Sequence, residues 1–194
     1  YHEHIYYFTI RTIEKILNKH FLHIFDCKKS PISGGSIIIY FKKKKLKKSQ
    51  KLISLLKIEK SKKFNEIETW KNFGINCIKH SKNLQKKLND IVKITSEKVV
   101  GYGASARSST MLNYARINNK QISHILDKNS LKDNHYTAGS QIKIINFKKD
   151  KNNLKNYKYI FILAWNFKDE IVKELKKNGY KGKYLIPLPK IKIV

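Results

Sequence analysis

Arginine is nearly missing from this chain. Of its 42 basic residues only Arg11, Arg107 and Arg116 are arginine and the other 39 are lysine, against 14 acidic residues and a formal net charge of +28. Such a charge would ordinarily suggest nucleic acid or an anionic membrane surface. Base and phosphate recognition leans on the planar guanidinium fork, however, and an almost all-lysine charge argues against a dedicated nucleic-acid binder. Lysine, isoleucine and asparagine are heavily used throughout, which reads as a compositional bias of the source; each arginine kept against that bias gains weight.

Cysteine is scarce too. Cys27 and Cys77 are far apart and neither has a C-x-x-C partner, so they could not hold a structural zinc without ligands from elsewhere. Two free thiols fit a reducing compartment, the cytoplasm. Long apolar runs are lacking: Ile37–Phe41 falls far short of the roughly 20 residues of a membrane span. No signal peptide is visible. What remains is 194 residues with 41% hydrophobic and 11% aromatic content, enough for one sizeable core or two small domains.

The spacing of Ile10, Ile13, Ile16 and Leu17 predicts a helix over 9–20 with Thr9 as its N-cap. Strand-like residues 21–26 and 36–41 flank a loop with Pro31 and Gly34-Gly35, the pattern of a hairpin or sheet edge. Residues 42–48 are lysine but for Leu46 and read as a solvated boundary between two folded units, a phosphate-binding patch being the alternative. Residues 49–97 are helical in period, with one stripe of Leu52, Leu55 and Leu56 and a longer one from Ile67 through Trp70, Phe73, Cys77, Leu84 and Leu88 to Ile91; Trp70 and Phe73 in that stripe read as core. After Lys98, strands near 99–104, 122–126, 142–145, 159–164 and 184–186 alternate with helices near 108–115 and 168–178. That alternation predicts a parallel α/β sheet, a Rossmann-like domain. The expected organisation is 1–48, 49–98 and 99–194.

Gly101-Tyr102-Gly103-Ala104-Ser105-Ala106 fits G-x-G-x-x-G/A between a strand and a helix. The first glycine permits a tight turn, the second lets a phosphate approach the backbone, and the helix start behind them attracts anions. Ser105, Ser108, Ser109 and Thr110 add hydroxyls, Arg107 adds a cation, and Asp127 ends the next strand where a ribose-binding acid would lie. The plain alternative is a glycine turn serving only packing. His135–Ser140, which carries Tyr136, and Ala164-Trp165-Asn166-Phe167 fall where the C-terminal ends of strands are expected to open: Trp165 could stack on a ring or simply pack, and Asn166 could bond a polar edge.

Tyr1-His2-Glu3-His4 is a dense supply of groups able to move protons near neutral pH. As a helical turn it would put Tyr1 and His4 on one face; extended, it would pair Tyr1 with Glu3.

Several of these segments, in order, resemble one family, the S-adenosylmethionine-dependent sugar C-methyltransferases that act on nucleotide-linked 4-keto deoxysugars. Tyr1–His4 and Pro31–Ser36 resemble the end of the family's methyltransferase domain. Gly101–Arg107 with Thr110–Tyr114, then Tyr136–Ser140, Leu163–Phe167 and Ile186–Pro189, resemble its Rossmann-like C-terminal domain. The departures are Arg107 where lysine is frequent, Ser108-Ser109 for Gly-Asn, and Ala138 for proline. The resemblance implies that this chain holds the last edge of a truncated methyltransferase domain and the whole C-terminal domain. It implies an S-adenosylmethionine site mostly outside the chain, and a zinc-binding domain whose ligands are not here. It implies His4 as the base, with Glu3 orienting it and Tyr1 bonding the enolate oxygen. It implies a nucleotide-linked sugar partner, met by Gly101, Tyr102, Gly103, Ala104, Ser105, Arg107, Asn113, Asp127, Tyr136, Trp165 and Asn166. Competing readings are a NAD-type dehydrogenase domain using Gly101, Gly103 and Asp127, a nucleic-acid-binding module, and a folded but inactive remnant.

Overall fold

The computed structural model describes residues 5–31 and 35–194, and these form two compact units, one made of the described residues up to 76 and the other of residues 77–194.

In the first unit, α1 (Ile10–Asn18) starts at Thr9, whose hydroxyl accepts from Thr12 N in a capping box. Strands β1 (His23–Ser30) and β2 (Ser36–Lys42) pair antiparallel with an irregularity between Ile24 and Asp26, the hairpin expected from the Pro/Gly loop. Helix α2 (Gln50–Ser61) starts at Ser49, whose hydroxyl is bonded in turn to Asp26 at 2.5 Å. Ile10, Ile24, Cys27 and Leu52 form the core, with Leu55 and Leu56 partly buried against it.

The carboxylate of Glu59, on α2, is 6% exposed and accepts from Ile10 N at 2.7 Å and Arg11 N at 3.4 Å, so an acid from one helix caps the unsatisfied start of another. A charge-assisted bond of this kind is worth about 1.5–3 kcal/mol. Glu59→Ala is therefore expected to lower the unfolding free energy of this unit by about that amount in urea titrations, and Glu59→Gln by less.

Helix α3 (Ile67–Thr95) runs from the first unit into the second. Its long apolar stripe divides. Leu84, Leu88 and Ile91 are buried as expected, but Trp70 and Phe73 are 49% and 59% exposed, which corrects their reading as core. Trp70 and Phe73 sit edge-to-face at 6.0 Å, and Trp70 Nε1 donates to Phe64 O, so the two rings pack on the helix surface.

In the second unit, β3 (Val99–Tyr102), α4 (Ala106–Tyr114), β4 (Ile122–Asp127), β5 (Lys143–Asn146), the single turn α5 (Phe147–Asp150), β6 (Tyr159–Ile162), α6 (Lys168–Lys177), β7 (Lys183–Ile186) and β8 (Lys192–Ile193) build a six-stranded sheet of order β5-β4-β3-β6-β7-β8. All pairs are parallel except β7–β8. The α/β architecture with a parallel sheet is the one the alternating pattern predicts. Successive residues of β3 serve opposite faces. Val99 packs with Leu84, Leu88, Leu112 and Ile125 on the α3/α4 side, while Val100 and Tyr102 pack with Leu154, Ile171 and Leu175 on the α6 side. Strands buried on both faces explain the near-continuous apolar runs.

A polar network lies between β4 and the segment after β5. Asp150 Oδ2 accepts from Tyr157 Oη at 2.5 Å and lies 3.3 Å from His124 Nε2, and Asp150 Oδ1 accepts from Asn153 Nδ2. Burial holds the His124 imidazole below its ordinary value, outweighing the pull of Asp150 toward the protonated form. The unfolded chain then binds the proton more readily, and stability contributed by neutral His124 is full above about pH 6.5 and lost as pH falls through the lower folded value. The denaturation midpoint of the natural chain should drop on acidification from about pH 6.5 to 5, with a visibly shallower drop in His124→Gln.

Candidate functional site

The strand order reverses beside β3: the chain leaves it toward β4 and β5 on one side, then crosses to β6 and β7 on the other. Ligands of open α/β sheets bind outside the C-terminal strand ends at such a point. A cleft of about 790 Å³ opens there, lined by Tyr102 and Gly103 from the end of β3, Asp127 and Lys128 from β4, Ala164 and Phe167 after β6, and Glu170, Ile171 and Glu174 of α6. Its size suits a small-molecule site.

Gly103 takes φ +96, a left-handed conformation, and a Cβ there would meet the Ala164 Cβ at 2.6 Å. A Cβ on Gly101 would meet Ile125 Cγ1 and Leu163 Cδ1, each at 2.8 Å. Both glycines are thus accounted for by close packing of neighbouring strand ends. Tyr102 is buried; its hydroxyl donates to Glu174 Oε2 at 2.8 Å, and Glu174 Oε1 also pairs with Lys128 Nζ at 2.8 Å. Desolvation, then the Glu174 carboxylate, push the Tyr102 phenol far above its ordinary value, so it remains a donor at every working pH.

The hydroxyls after the turn are committed locally. Ser105 caps α4 in a capping box with Ser108, which is wholly buried, and Thr110 Oγ1 donates to Ala106 O. The helix therefore begins two residues earlier than its apolar period suggests, because Ser105 is the start signal. Asp127 does not point outward as a ribose-binding acid: its carboxylate accepts from Ala104 N and Asn129 N, each at 2.8 Å.

Gly101, Tyr102, Gly103, Ala104, Ser105, Arg107, Asp127, Trp165 and Asn166 gather at or just beyond the C-terminal strand ends, with Trp165 and Asn166 in a 3-10 turn that leads into α6. Two expected site residues stand elsewhere. Tyr136 bridges antiparallel to Lys143, the first residue of β5, and Asn113 lies in the last turn of α4, where its Nδ2 donates to Ser109 O and Ala138 O. The His135–Ser140 segment therefore reaches the N-terminal end of the sheet, opposite the glycine turn. The reason is that residues 133–137 double back along β5: Asn134 N donates to Ile144 O, and Ile144 N to His135 O. Thr137 and Ser140 are buried and share a 2.7 Å hydroxyl bond that fixes this loop. Tyr1, Glu3 and His4 lie outside the described residues.

Phe167 lies in the segment expected at the strand ends, though with no role assigned to it; Glu170 and Glu174 were not anticipated. Their signal is present in sequence: α6 begins directly after the Trp165–Phe167 turn, and one helical face carries Glu170 and Glu174 at i, i+4.

A family model described as the C-methyltransferase C-terminal domain matches residues 31–189. The chain belongs to this C-methyltransferase family. C-methyltransferase NovU of Streptomyces niveus is 24% identical over 199 residues, an alignment that takes in all of this chain and 46% of that relative. The chain thus spans less than half the length of the curated relative it matches. Neither the dehydrogenase reading nor the nucleic-acid reading draws support from these matches. In this C-methyltransferase-family chain the described residues do not fit S-adenosylmethionine at the glycine turn: a Cβ-sized space at Gly103 is already filled by Ala164, and the Ala104 N–H is already bonded. Among the described residues no group of three or more His, Cys, Asp or Glu side chains is placed to hold a metal ion, and no helix is long and apolar enough to cross a membrane.

Proposed function

We propose that this chain is the part of an S-adenosylmethionine-dependent C-methyltransferase that meets a nucleotide-linked keto-deoxysugar. The observation that carries the reading is the family match over residues 31–189, joined to an alignment with NovU that runs the whole length of the chain. The cofactor supplies the methyl group, and its site is placed outside the described residues. The two free cysteines, Cys27 and Cys77, fit a reducing cytoplasm.

The chemistry asked of this chain is removal of a proton next to a ketone. His4 takes that proton, an imidazole being matched to the task near neutral pH. Tyr1 donates a hydrogen bond to the enolate oxygen as charge develops on it, and Glu3 orients the imidazole. In residues 77–194, Arg107, Trp165 and Asn166 are the substrate-side residues of the switch-point face, Trp165 offering a ring and Asn166 an amide, while Ser105 is spent on capping α4. Asn113 and Tyr136, at the other end of the sheet, are assigned to bracing the 135–140 loop.

Titration calorimetry on this chain tests the reading. A nucleotide-linked 4-keto deoxysugar is expected to bind weakly, with a Kd on the order of 0.1–1 mM, and S-adenosylmethionine to give no saturable heat. Tight S-adenosylmethionine binding would overturn the assignment of that site to residues elsewhere, and silence toward the nucleotide-sugar would overturn the substrate role.

A further inference from the structure

In a doubly wound unit the first strand–helix turn normally offers its backbone N–H groups to phosphate. In this chain three of those groups are already taken. Gly103 N donates to Leu126 O at 2.8 Å, Ala104 N to Asp127 Oδ2 at 2.8 Å, and Ser105 N to Ser108 Oγ at 2.7 Å. The Asp127 carboxylate is held from other sides as well. Its Oδ1 accepts from Asn129 N at 2.8 Å, and its Oδ2 lies 3.4 Å from Lys132 Nζ. The same ammonium donates to Ala104 O at 2.6 Å, and the Asp127 side chain is only 13% exposed. An anion, a cation and a backbone donor thus share the place where a phosphate would need a backbone donor and a cation. A phosphate brought to Ala104 N would meet the carboxylate at contact range, and like charges at that distance repel strongly when water is excluded. The open flank of Gly103, the usual approach for a pyrophosphate, is closed by Ala164.

We propose that Asp127 and Lys132 form an internal plug of the glycine turn: the carboxylate stands in for phosphate and makes the turn a preformed, phosphate-free wall of the switch-point cleft. The plug determines specificity, because it turns away dinucleotides and free diphosphates while leaving the cleft beside it open. It bears on the proposed function in one respect only: if the substrate is a nucleotide-linked sugar, its diphosphate is held by other residues.

The test uses inorganic pyrophosphate, titrated at constant ionic strength into the natural chain, Asp127→Ser and Asp127→Ser/Lys132→Ala, with binding read from intrinsic tryptophan fluorescence and the thermal midpoint. Asp127→Ser keeps the Ala104 N–H and the Lys132 ammonium but removes the stand-in anion. It should bind pyrophosphate at least tenfold more tightly than the natural chain, and the double variant should lose that gain. Diffuse attraction to surface lysines is nearly the same in all three proteins, so the differences report on the turn. If Asp127→Ser does not fold by circular dichroism, the near-isosteric Asp127→Asn carries the test, with a gain of the same direction. Equal affinity in the natural chain and the folded variant overturns the plug, as does saturable NADH binding by the natural chain. Nucleotide-sugar titrations on the same proteins keep the two readings apart. A pyrophosphate gain without any nucleotide-sugar binding leaves the plug standing and removes the substrate role; the reverse outcome removes the plug alone.

Discussion

Gly103→Ala is expected to lower the unfolding free energy of the 77–194 unit by about 2–5 kcal/mol. Two causes add. An alanine held at the φ +96 of this position costs about 1–2 kcal/mol relative to glycine. Its methyl would also lie 2.6 Å from the Ala164 Cβ and 3.2 Å from the Ala164 N, atoms of an adjoining backbone that cannot swing aside. Overpacking of that kind typically costs 1–3 kcal/mol. Gly101→Ala is the informative comparison. Its neighbours at 2.8 Å are the side-chain atoms Ile125 Cγ1 and Leu163 Cδ1, and its backbone is not left-handed. Only the packing cost applies, about 1–3 kcal/mol, with some relief from rotation of Leu163. Urea titrations of both variants followed by circular dichroism measure the order. A turn that kept its glycines solely for ligand approach would lose binding on alanine substitution with no loss of stability; a destabilised Gly103→Ala with a milder Gly101→Ala is the result that packing predicts.

The same contrast shows what could be read from the residues alone. The alternation of apolar runs with helical periods was enough for the parallel sheet, since strands buried on both faces can hide little of their pattern; β3, β4, β6 and α6 lie where the periods put them, within one or two residues. The hairpin followed from Pro31 and the glycine pair. Less was legible where a residue's role depends on which way the chain turns after an element ends. The His135–Ser140 segment has the composition of a site loop, but the antiparallel bridge between Tyr136 and Lys143 carries it to the far end of the sheet. Nothing in local sequence announces that reversal. Trp70 and Phe73 share a period with Leu84 and Leu88, yet a period marks a face of a helix and does not say how far along its length that face is covered. Asp127 was placed correctly at the end of β4, and its orientation was the missing part. The N–H groups of Ala104 and Asn129, with Lys132 beside them, hold the carboxylate inward, contacts that spacing alone did not reveal. Two short elements escape a sequence reading: β8 has only two residues, and α5 is a single helical turn of four, too short to show a 3.6-residue period.

The largest effect on activity is expected at His4, in a protein that joins this chain to the cofactor-binding half of a C-methyltransferase. His4→Ala should lower kcat by about 10²–10⁴-fold, the usual contribution of a positioned general base. The affinity for S-adenosylmethionine should stay within about twofold, because the proposed cofactor contacts lie elsewhere. The pH profile gives a second readout. A base that must be neutral to accept the α-proton produces a rise in kcat with pH through the imidazole range, and His4→Ala should abolish that limb. Glu3→Gln should act more mildly, since an orienting carboxylate tunes the base without exchanging a proton with the substrate. Tyr1→Phe should cost about 10²–10³-fold in kcat if its hydroxyl is the principal donor to the enolate oxygen. Exchange of the substrate α-proton with deuterated solvent, followed by NMR without methyl donor, separates the proton step from the transfer step: His4→Ala should silence the exchange, whereas Tyr1→Phe should slow it. Exchange that continues at the natural rate in His4→Ala would assign the base to another residue.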